Sequence, residues 1–300
     1  MSSCRIVFCG SVDFSRHCLE VVLAHGGDVV AVLTRRRADD EFNADHADLA
    51  PVATSHGIPV HFIDSINAVD AIDTLRRYAP DLLFVWGWSE IARDTVLAVP
   101  SRGAIGVHPT LLPANRGRHP LIWTLQLGLR KTGLTFFWMD RGADSGDILA
   151  QSEMALTENE TARSLYERIE RSASCLVPTF LPQLIAGTAP RIPQHRSSAT
   201  SWRRRSREDG RVDFRMSSGA IERLVRALGP PYPGAHVSLA GRDVKVWRVR
   251  VAPLPGAYEN AEFGRVLGVD GRHVLVRADD ALVTLVDHEF DPLPAPGSYL

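Results

Sequence analysis

The chain has 300 residues, more than one ordinary core needs, and this length suits a large domain followed by a smaller one. Its 34 basic and 35 acidic residues nearly cancel, so the chain as a whole offers no global attraction for nucleic acid or an anionic membrane. The four cysteines (Cys4, Cys9, Cys18, Cys175) have neither metal-ligand nor disulfide-framework spacing, the opening MSSCRIVFCG is too short and too soon polar for a signal peptide, and no apolar run approaches a membrane span; a cytoplasmic protein with free thiols is expected.

In chain order, short β-rich apolar runs alternate with amphipathic stretches. RIVFC (5–9), DVVAVLT (28–34), PVHFI (59–63), DLLFVWG (81–87) and GAIGVH (103–108) read as strands; DFSRHCLEVVLAHG, HADLAPVATSHG and NAVDAIDTLRRYAP carry apolar residues at helical spacing. The alternation predicts an α/β domain with a parallel, doubly wound sheet, whose ligands bind beyond the carboxyl ends of the strands where strand order reverses. Gly10, Gly87 and His108 fall at or just after strand ends. Thr157 and Glu160 stand in capping-box spacing at the head of a long predicted helix, TENETARSLYERIERSASCLVPTFLPQLIAG, which closes the domain. Residues 189–207, APRIPQHRSSATSWRRRSR, lack periodicity and read as a linker between a domain over 1–188 and a second over 208–300. The second opens with a helix, SGAIERLVRAL, and continues in short strands joined by Gly and Asp turns, which predicts a small antiparallel barrel.

Chemistry concentrates in GVHPTLLPANRGRHPLIW (106–123) and MDRGADSGDILA (139–150). A lone histidine at a strand end is often structural, and Asp with Gly is ordinary turn chemistry. A Pro-flanked irregular loop at the carboxyl end of a strand, however, is where sites are built. No G-x-S-x-G elbow is present, so covalent catalysis is not expected; no H-E-x-x-H or C-x-x-C is present, so no metal is expected; and the only lysines, Lys131 and Lys245, lie outside apolar patterns. A His108–Asp144 pair then suits direct transfer. An amine attacks a preactivated acyl carbon, the imidazole stabilises the oxyanion, and the carboxylate orients the imidazole or takes the amine proton.

The stretch GVHPTLLPANRGRHPLIWTLQLGLRKTGLTFFWMDRGADSGDILAQ resembles the folate-dependent formyltransferases, whose signature is a histidine before a Leu-Leu-Pro loop and an aspartate in a D-x-G-D turn. REDGRVDFRMSSGAIERLVRALGPPYPGAHVSL resembles the carboxyl-terminal domain of the methionyl-tRNA and amino-sugar formyltransferases. The resemblance implies a Rossmann-like catalytic domain, an OB-like barrel after it, and 10-formyltetrahydrofolate as donor. It makes His108 and Asp144 the catalytic residues. It also places the pterin against WGWSEI (Trp86, Gly87, Trp88, Glu90, Ile91) and RGAD (Gly142, Ala143), chiefly through backbone. One position departs. Family members carry an asparagine two places before the histidine to hold the formyl oxygen, and here that residue is Gly106. Losing one such donor costs about 3 kcal/mol of transition-state stabilisation. A glycine is expected to leave room for a water or the acceptor.

Three acceptor amines fit the resemblance. A tRNA would require a basic footprint, but from Arg205 onward thirteen basic residues meet thirteen acidic ones, and RRRADDEFNADHAD (35–48) has three arginines against five acids. A nucleotide-linked amino sugar needs only an arginine or two and an aromatic face, for which Gly10, Ser11, Arg116, Gly117 and Trp123 are the candidates. NRGRHPLIW with TGLTFFWMD resembles the sugar N-formyltransferases most closely. Hydroxyornithine ranks below the sugar. Hydrolysis of 10-formyltetrahydrofolate, and a folate-binding protein without turnover, are the alternatives of other classes; a homodimer stays open.

Overall fold

The five apolar runs of the first half become five parallel strands in the computed structural model, which describes residues 4–36, 45–239 and 241–300. They are β1 (Arg5–Cys9), β2 (Asp28–Thr34), β3 (Val60–Phe62), β4 (Leu82–Val85) and β5 (Gly103–His108). Helices α1 (Asp13–Ala24), α2 (Ala50–Ser55), α3 (Val69–Tyr78) and α4 (Asp94–Leu97) lie between them. β1 and β4 are buried on both faces, which is why they read as continuous apolar runs rather than alternating ones.

Beyond β5 come β6 (Arg116–Gly117), α5 (Pro120–Gln126), β7 (Lys131–Trp138), β8 (Ile148–Ala155), α6 (Ala162–Ala186) and β9 (Ser201–Trp202). The sheet order is β3-β2-β1-β4-β5-β7-β8, so strand order reverses at β1, between β2 and β4, as a Rossmann-like sheet requires. The all-parallel expectation needs one correction. β7 and β8 add antiparallel to the β5 edge, with His108 opposite Thr135 and Gly106 opposite Phe137. KTGLTFFW is buried along nearly its whole length, and no helix intervenes before β8, so a hairpin rather than a crossover joins the pair. The hairpin loop, residues 139–147, carries Asp144.

An aromatic cluster fastens α6 to this sheet. Trp86, fully buried just after β4, stacks on Phe84 at 4.4 Å between ring centroids and meets Phe8, Phe136 and the α6 residue Phe180 edge-on. The start of α6 also differs from expectation. The reciprocal bonds run between Thr161 and Ser164, Thr161 N–H to Ser164 Oγ at 3.0 Å and Ser164 N–H to Thr161 Oγ1 at 3.1 Å. Helix formation thus begins four residues after Thr157, although one bond of the expected box is made, the Thr157 N–H donating to the Glu160 carboxylate at 3.5 Å; Glu160 also accepts from the Ser164 hydroxyl.

The carboxyl-terminal part holds α7 (Ser218–Ala227), started by Ser217, whose hydroxyl accepts from the Ala220 N–H. It continues with β10 (Ala235–Leu239), β11 (Arg242–Pro253), β12 (Val266–Asp270), β13 (His273–Arg277) and β14 (Ala281–His288), an antiparallel sheet in the order β10-β11-β14-β13-β12. By internal packing the chain forms two units. One comprises Met1–Pro120, Lys131–Ala155 and Glu167–Trp202; the other comprises Leu121–Arg130, Leu156–Tyr166 and Arg203–Leu300. Among the described residues no helix is long and apolar enough to cross a membrane.

Truncating Phe180 to alanine removes the ring that joins α6 to the cluster. It is expected to cost about 3–5 kcal/mol of stability, measured by urea unfolding of the purified protein.

Candidate active site

His108 ends β5 with its side chain buried, and its ring is held from two sides. The carbonyl oxygen of Asn115 lies 2.8 Å from Nε2. A carbonyl only accepts, so Nε2 carries a proton and donates it there. Nδ1 faces the Asp144 carboxylate, with Oδ2 at 3.6 Å. The same Oδ2 accepts the Gly117 N–H at 2.8 Å. The structure therefore brings together His108 and Asp144, thirty-six positions apart in sequence.

The backbone around the pair is unusually turned. Asn115, Gly117, His119 and Asp144 all have positive φ, from 53° to 103°. Asn and Asp tolerate the left-handed region because their short polar side chains bond locally. At Gly117 only glycine serves, since a Cβ would overlap the Trp202 carbonyl.

Polar side chains that sequence reading did not single out hold the His108 loop, of which Thr135 is buried. Thr135, paired with His108 across the sheet, donates from Oγ1 to the Thr110 carbonyl at 2.6 Å and accepts from the Leu112 N–H and from Gln151 Nε2. Gln151 also donates to the Leu112 carbonyl at 2.9 Å. A second glutamine, Gln194, lies in the stretch expected to be a linker. Its Oε1 accepts from Arg116, and its Nε2 donates to the carbonyls of Asp144 and Gly146. Threonine and glutamine in an apolar strand or a proline-rich stretch carry no sequence signal of these roles.

The other expected site residues separate into braces and open backbone. Gly10 and Gly87 are glycines because the β1–α1 turn crosses the end of β4: a Cβ at Gly10 would meet the Trp86 carbonyl, and one at Gly87 would meet Ser15 and Val12. Ser15 closes this crossing, donating to the Trp86 carbonyl at 2.6 Å and accepting the Ser11 and Val12 N–H groups. The Gly10 N–H goes to Leu33, so Gly10 and Ser11, both buried, offer a substrate neither free amide nor side chain in this state. The Trp86 ring is likewise enclosed. Trp88 is nearly so, with Arg35 over its ring and its Nε1 donating to Glu90. Glu90 collects four donors, from Ser65, Ile66, Asn67 and Trp88. Burial acts to raise its carboxyl, and those hydrogen bonds outweigh burial and hold it below the usual range. Ile91 is exposed, and Gly142 and Ala143 lie in an exposed turn. By contrast, the backbone N–H and C=O groups of residues 87–90 have no hydrogen-bond partner among the described residues.

Arg116, expected to grip a pyrophosphate, has Nε and Nη2 engaged with Gln194 Oε1, and the Gly117 N–H is taken by Asp144. Trp123 belongs to the other packing unit. There its Nε1 donates to the Arg203 carbonyl, and the guanidiniums of Arg203 and Arg205 lie over its ring at 5.3 and 4.6 Å. Within SWRRRSR, Arg205 is buried. Of the 35–48 charge segment, residues 37–44 lie outside the described residues.

The room expected at Gly106 is absent. A Cβ there would stand 2.7 and 3.0 Å from two carbons of the Phe137 ring and 3.1 Å from Met139 Cγ. The volume a longer side chain would need is filled by apolar groups from β7 and its hairpin loop.

Comparison with known proteins identifies the family. Residues 5–181 match the formyl transferase family, and residues 204–293 match the formyl transferase carboxyl-terminal domain. The chain belongs to the formyl transferase family and is a transferase. Among solved structures, a variant of HypX from Aquifex aeolicus superposes with a TM-score of 0.68 at 18% identity; the match covers 96% of this chain and 44% of HypX, so the chain spans less than half of that protein. An N-formyltransferase from Helicobacter canadensis, solved with folinic acid and dTDP-3-aminofucose, superposes with a TM-score of 0.68 at 17% identity, over 94% of this chain and 98% of that one. A 4-N formyltransferase from Francisella tularensis gives 0.63 at 18% identity, over 80% and 94%. At these identities the likeness establishes the fold.

Two outcomes follow from the site's packing. Because the folded Glu90 carboxyl is depressed, its contribution to stability is present above the unfolded value of about 4.3 and is lost as pH falls through the lower folded value. The gap in melting temperature between wild type and Glu90→Gln should therefore narrow on acidification from pH 7 to pH 3. Gly106→Asn should overpack the β5–β7 contact, lowering stability by about 1–3 kcal/mol without raising kcat, as read by thermal unfolding and steady-state kinetics.

Proposed function

We propose that the protein transfers a formyl group from 10-formyltetrahydrofolate to the amine of a nucleotide-linked amino sugar. The observation that carries this reading is the approach of the Asp144 carboxylate to the buried His108 imidazole in a formyl transferase fold, with no nucleophile required of the protein. The donor fits one feature of the chain: the unpartnered backbone of residues 87–90, at the carboxyl end of β4, suits a ring edge that both donates and accepts hydrogen bonds. When bound, the folate supplies an activated formyl group.

In the proposed chemistry the acceptor nitrogen bonds to the formyl carbon, the bond from that carbon to the folate nitrogen breaks, and the acceptor's proton is passed to the departing folate nitrogen. His108 turns its Nε2–H from the Asn115 carbonyl to the formyl oxygen as charge develops on it. Asp144 orients the imidazole from the other side and receives the amine proton on its way to the leaving group. Gly106 supplies no side-chain donor. Thr135, Gln151 and the Gly117 N–H keep the pair in register.

The sugar acceptor draws support from the Helicobacter canadensis neighbour, whose complex holds folinic acid and dTDP-3-aminofucose, and from the balanced charge after residue 205. A tRNA would need a net basic surface to neutralise phosphates. Arg116, occupied with Gln194, serves this reading as a brace of the loop rather than as a pyrophosphate clamp. The absence of a side-chain amide donor at Gly106 leaves one second reading, hydrolysis of the formyl donor.

The assay follows tetrahydrofolate release with and without amino-sugar nucleotides. Release that depends on the sugar supports transfer, and equal release in its absence supports hydrolysis. His108→Ala and Asp144→Asn are each expected to lower turnover at least about a hundredfold while changing folate affinity little. Near-normal turnover in either variant would remove that residue from the site.

A further inference from the structure

The stretch between the two family matches, residues 182–203, includes a run that is fastened to both walls of the site. The Pro190 carbonyl accepts from Trp138 Nε1 at 2.9 Å, and Ile192 exchanges both backbone hydrogen bonds with Ile148 at 2.8 and 3.0 Å, which secures the two ends of the Asp144 hairpin loop. Thr200 takes the Asn115 N–H on its hydroxyl at 2.8 Å and the Arg116 N–H on its carbonyl at 2.9 Å, and β9 pairs with β6, which secures the loop after His108. Between these anchors lies Gln194.

Gln194 spends every hydrogen-bonding position of its amide on the two walls. Oε1 accepts Arg116 Nε at 3.2 Å and Nη2 at 2.6 Å, while Nε2 donates to the Asp144 carbonyl at 2.9 Å and the Gly146 carbonyl at 2.7 Å. Asp144 sits at φ 53°, a conformation that persists in a non-glycine residue only when its surroundings hold it. Its neighbour Gly146 is pressed against the Trp138 carbonyl, with no space for a Cβ. On the opposite wall, Arg116 immediately precedes Gly117, whose N–H holds the Asp144 carboxylate.

We propose that Gln194 is a positioning residue for the formyl-transfer site: one side-chain amide joins the turn that carries Asp144 to the loop that carries Arg116 and Gly117, and so sets the spacing between Asp144 and His108. The proposal rests on the reading of His108 and Asp144 given above. Gln194 touches neither ring nor carboxylate; it acts through the backbone that aims them. Without it the Asp144 and Gly146 carbonyls turn to water and Arg116 loses the Gln194 amide, so the spacing of the Asp144 turn from the His108 loop rests on the Gly117–Asp144 bond and the more distant anchors. A misplacement of about 1 Å is enough to cost about a hundredfold in rate.

The test uses the full-length protein with Gln194→Ala and Gln194→Glu, each alone and with Asp144→Asn. Turnover is read as tetrahydrofolate release, both with amino-sugar nucleotides and with hydroxylamine as a small acceptor that needs no sugar site. Gln194→Ala should lower kcat about tenfold to a hundredfold and leave the folate Kd within about twofold. Gln194→Glu, which still accepts from Arg116 but sets an oxygen against two carbonyls, should lose as much and covers the case in which the alanine variant unfolds. In the Asp144→Asn background either change should cost less than about twofold more, because coupled residues are non-additive. Wild-type kcat in both single variants, or a fully additive loss with Asp144→Asn, would overturn the proposal. If instead wild type and Asp144→Asn turn over equally, the reading of the site has failed, and the His108 ring 15N shifts decide the positioning role separately. Shifts displaced in the Gln194 variants uphold it, and unchanged shifts overturn it.

Discussion

The Asp144 carboxylate is held in place by its surroundings at each end of the residue. Its Oδ2 lies within 3.6 Å of the His108 ring and takes the Gly117 N–H, while its backbone, turned to positive φ, is gripped at the carbonyl by Gln194. A short acidic side chain enters the left-handed region only with local bonding to hold it there. The bonds come from two chain segments, one around residue 117 and one around residue 194, so the aspartate's position depends on both. A carboxylate bonded to the Gly117 N–H, set beside His108 and carried on a backbone pinned by Gln194 has little freedom left.

The same economy of donors governs the reversal of strand order. The turn from β1 into α1 passes so close to the end of β4 that Gly10 and Gly87 have no room for side chains, and Ser15 binds the turn to the Trp86 carbonyl. Helix N-termini in such sheets are ready anion sites, yet here Ser15 takes the Ser11 and Val12 amides. The free backbone lies on the other side of the crossing, at residues 87–90. The backbone left unpartnered at this crossing therefore belongs to the segment after β4, and the glycines of the β1 turn serve packing.

Gly106 shows how a missing functional group and a filled volume go together. Read along the chain, the glycine is a vacancy beside His108. Across the sheet it faces Phe137, and that ring with Met139 occupies the space. A residue on β5 cannot be changed independently of its partner on β7, because the two strands share one pleated surface and interiors are close-packed.

Much of the architecture was legible locally. Strands β1, β2 and β5 end where the apolar runs end, since a buried parallel strand must be apolar along its length and its boundaries are marked by glycine, aspartate and histidine. The approach of Asp144 to His108 was legible too, because their residue types and separation belong to a pattern. The antiparallel hairpin β7–β8 was not, as an apolar run does not say which edge it joins or in which direction. The cap at Thr161 rather than Thr157 turned on which of two similar spacings meets the first helical turn. Gln194 was invisible for the same reason on a longer scale: it lies fifty residues from Asp144 and seventy-eight from Arg116, in a stretch whose composition says only that it is irregular. Sequence by itself determined which residues can do chemistry and which runs must be buried, because those follow from side-chain type and period. Only the tertiary structure decided which donor meets which acceptor, because a hydrogen bond is made between groups brought within 3 Å by the path of the whole chain.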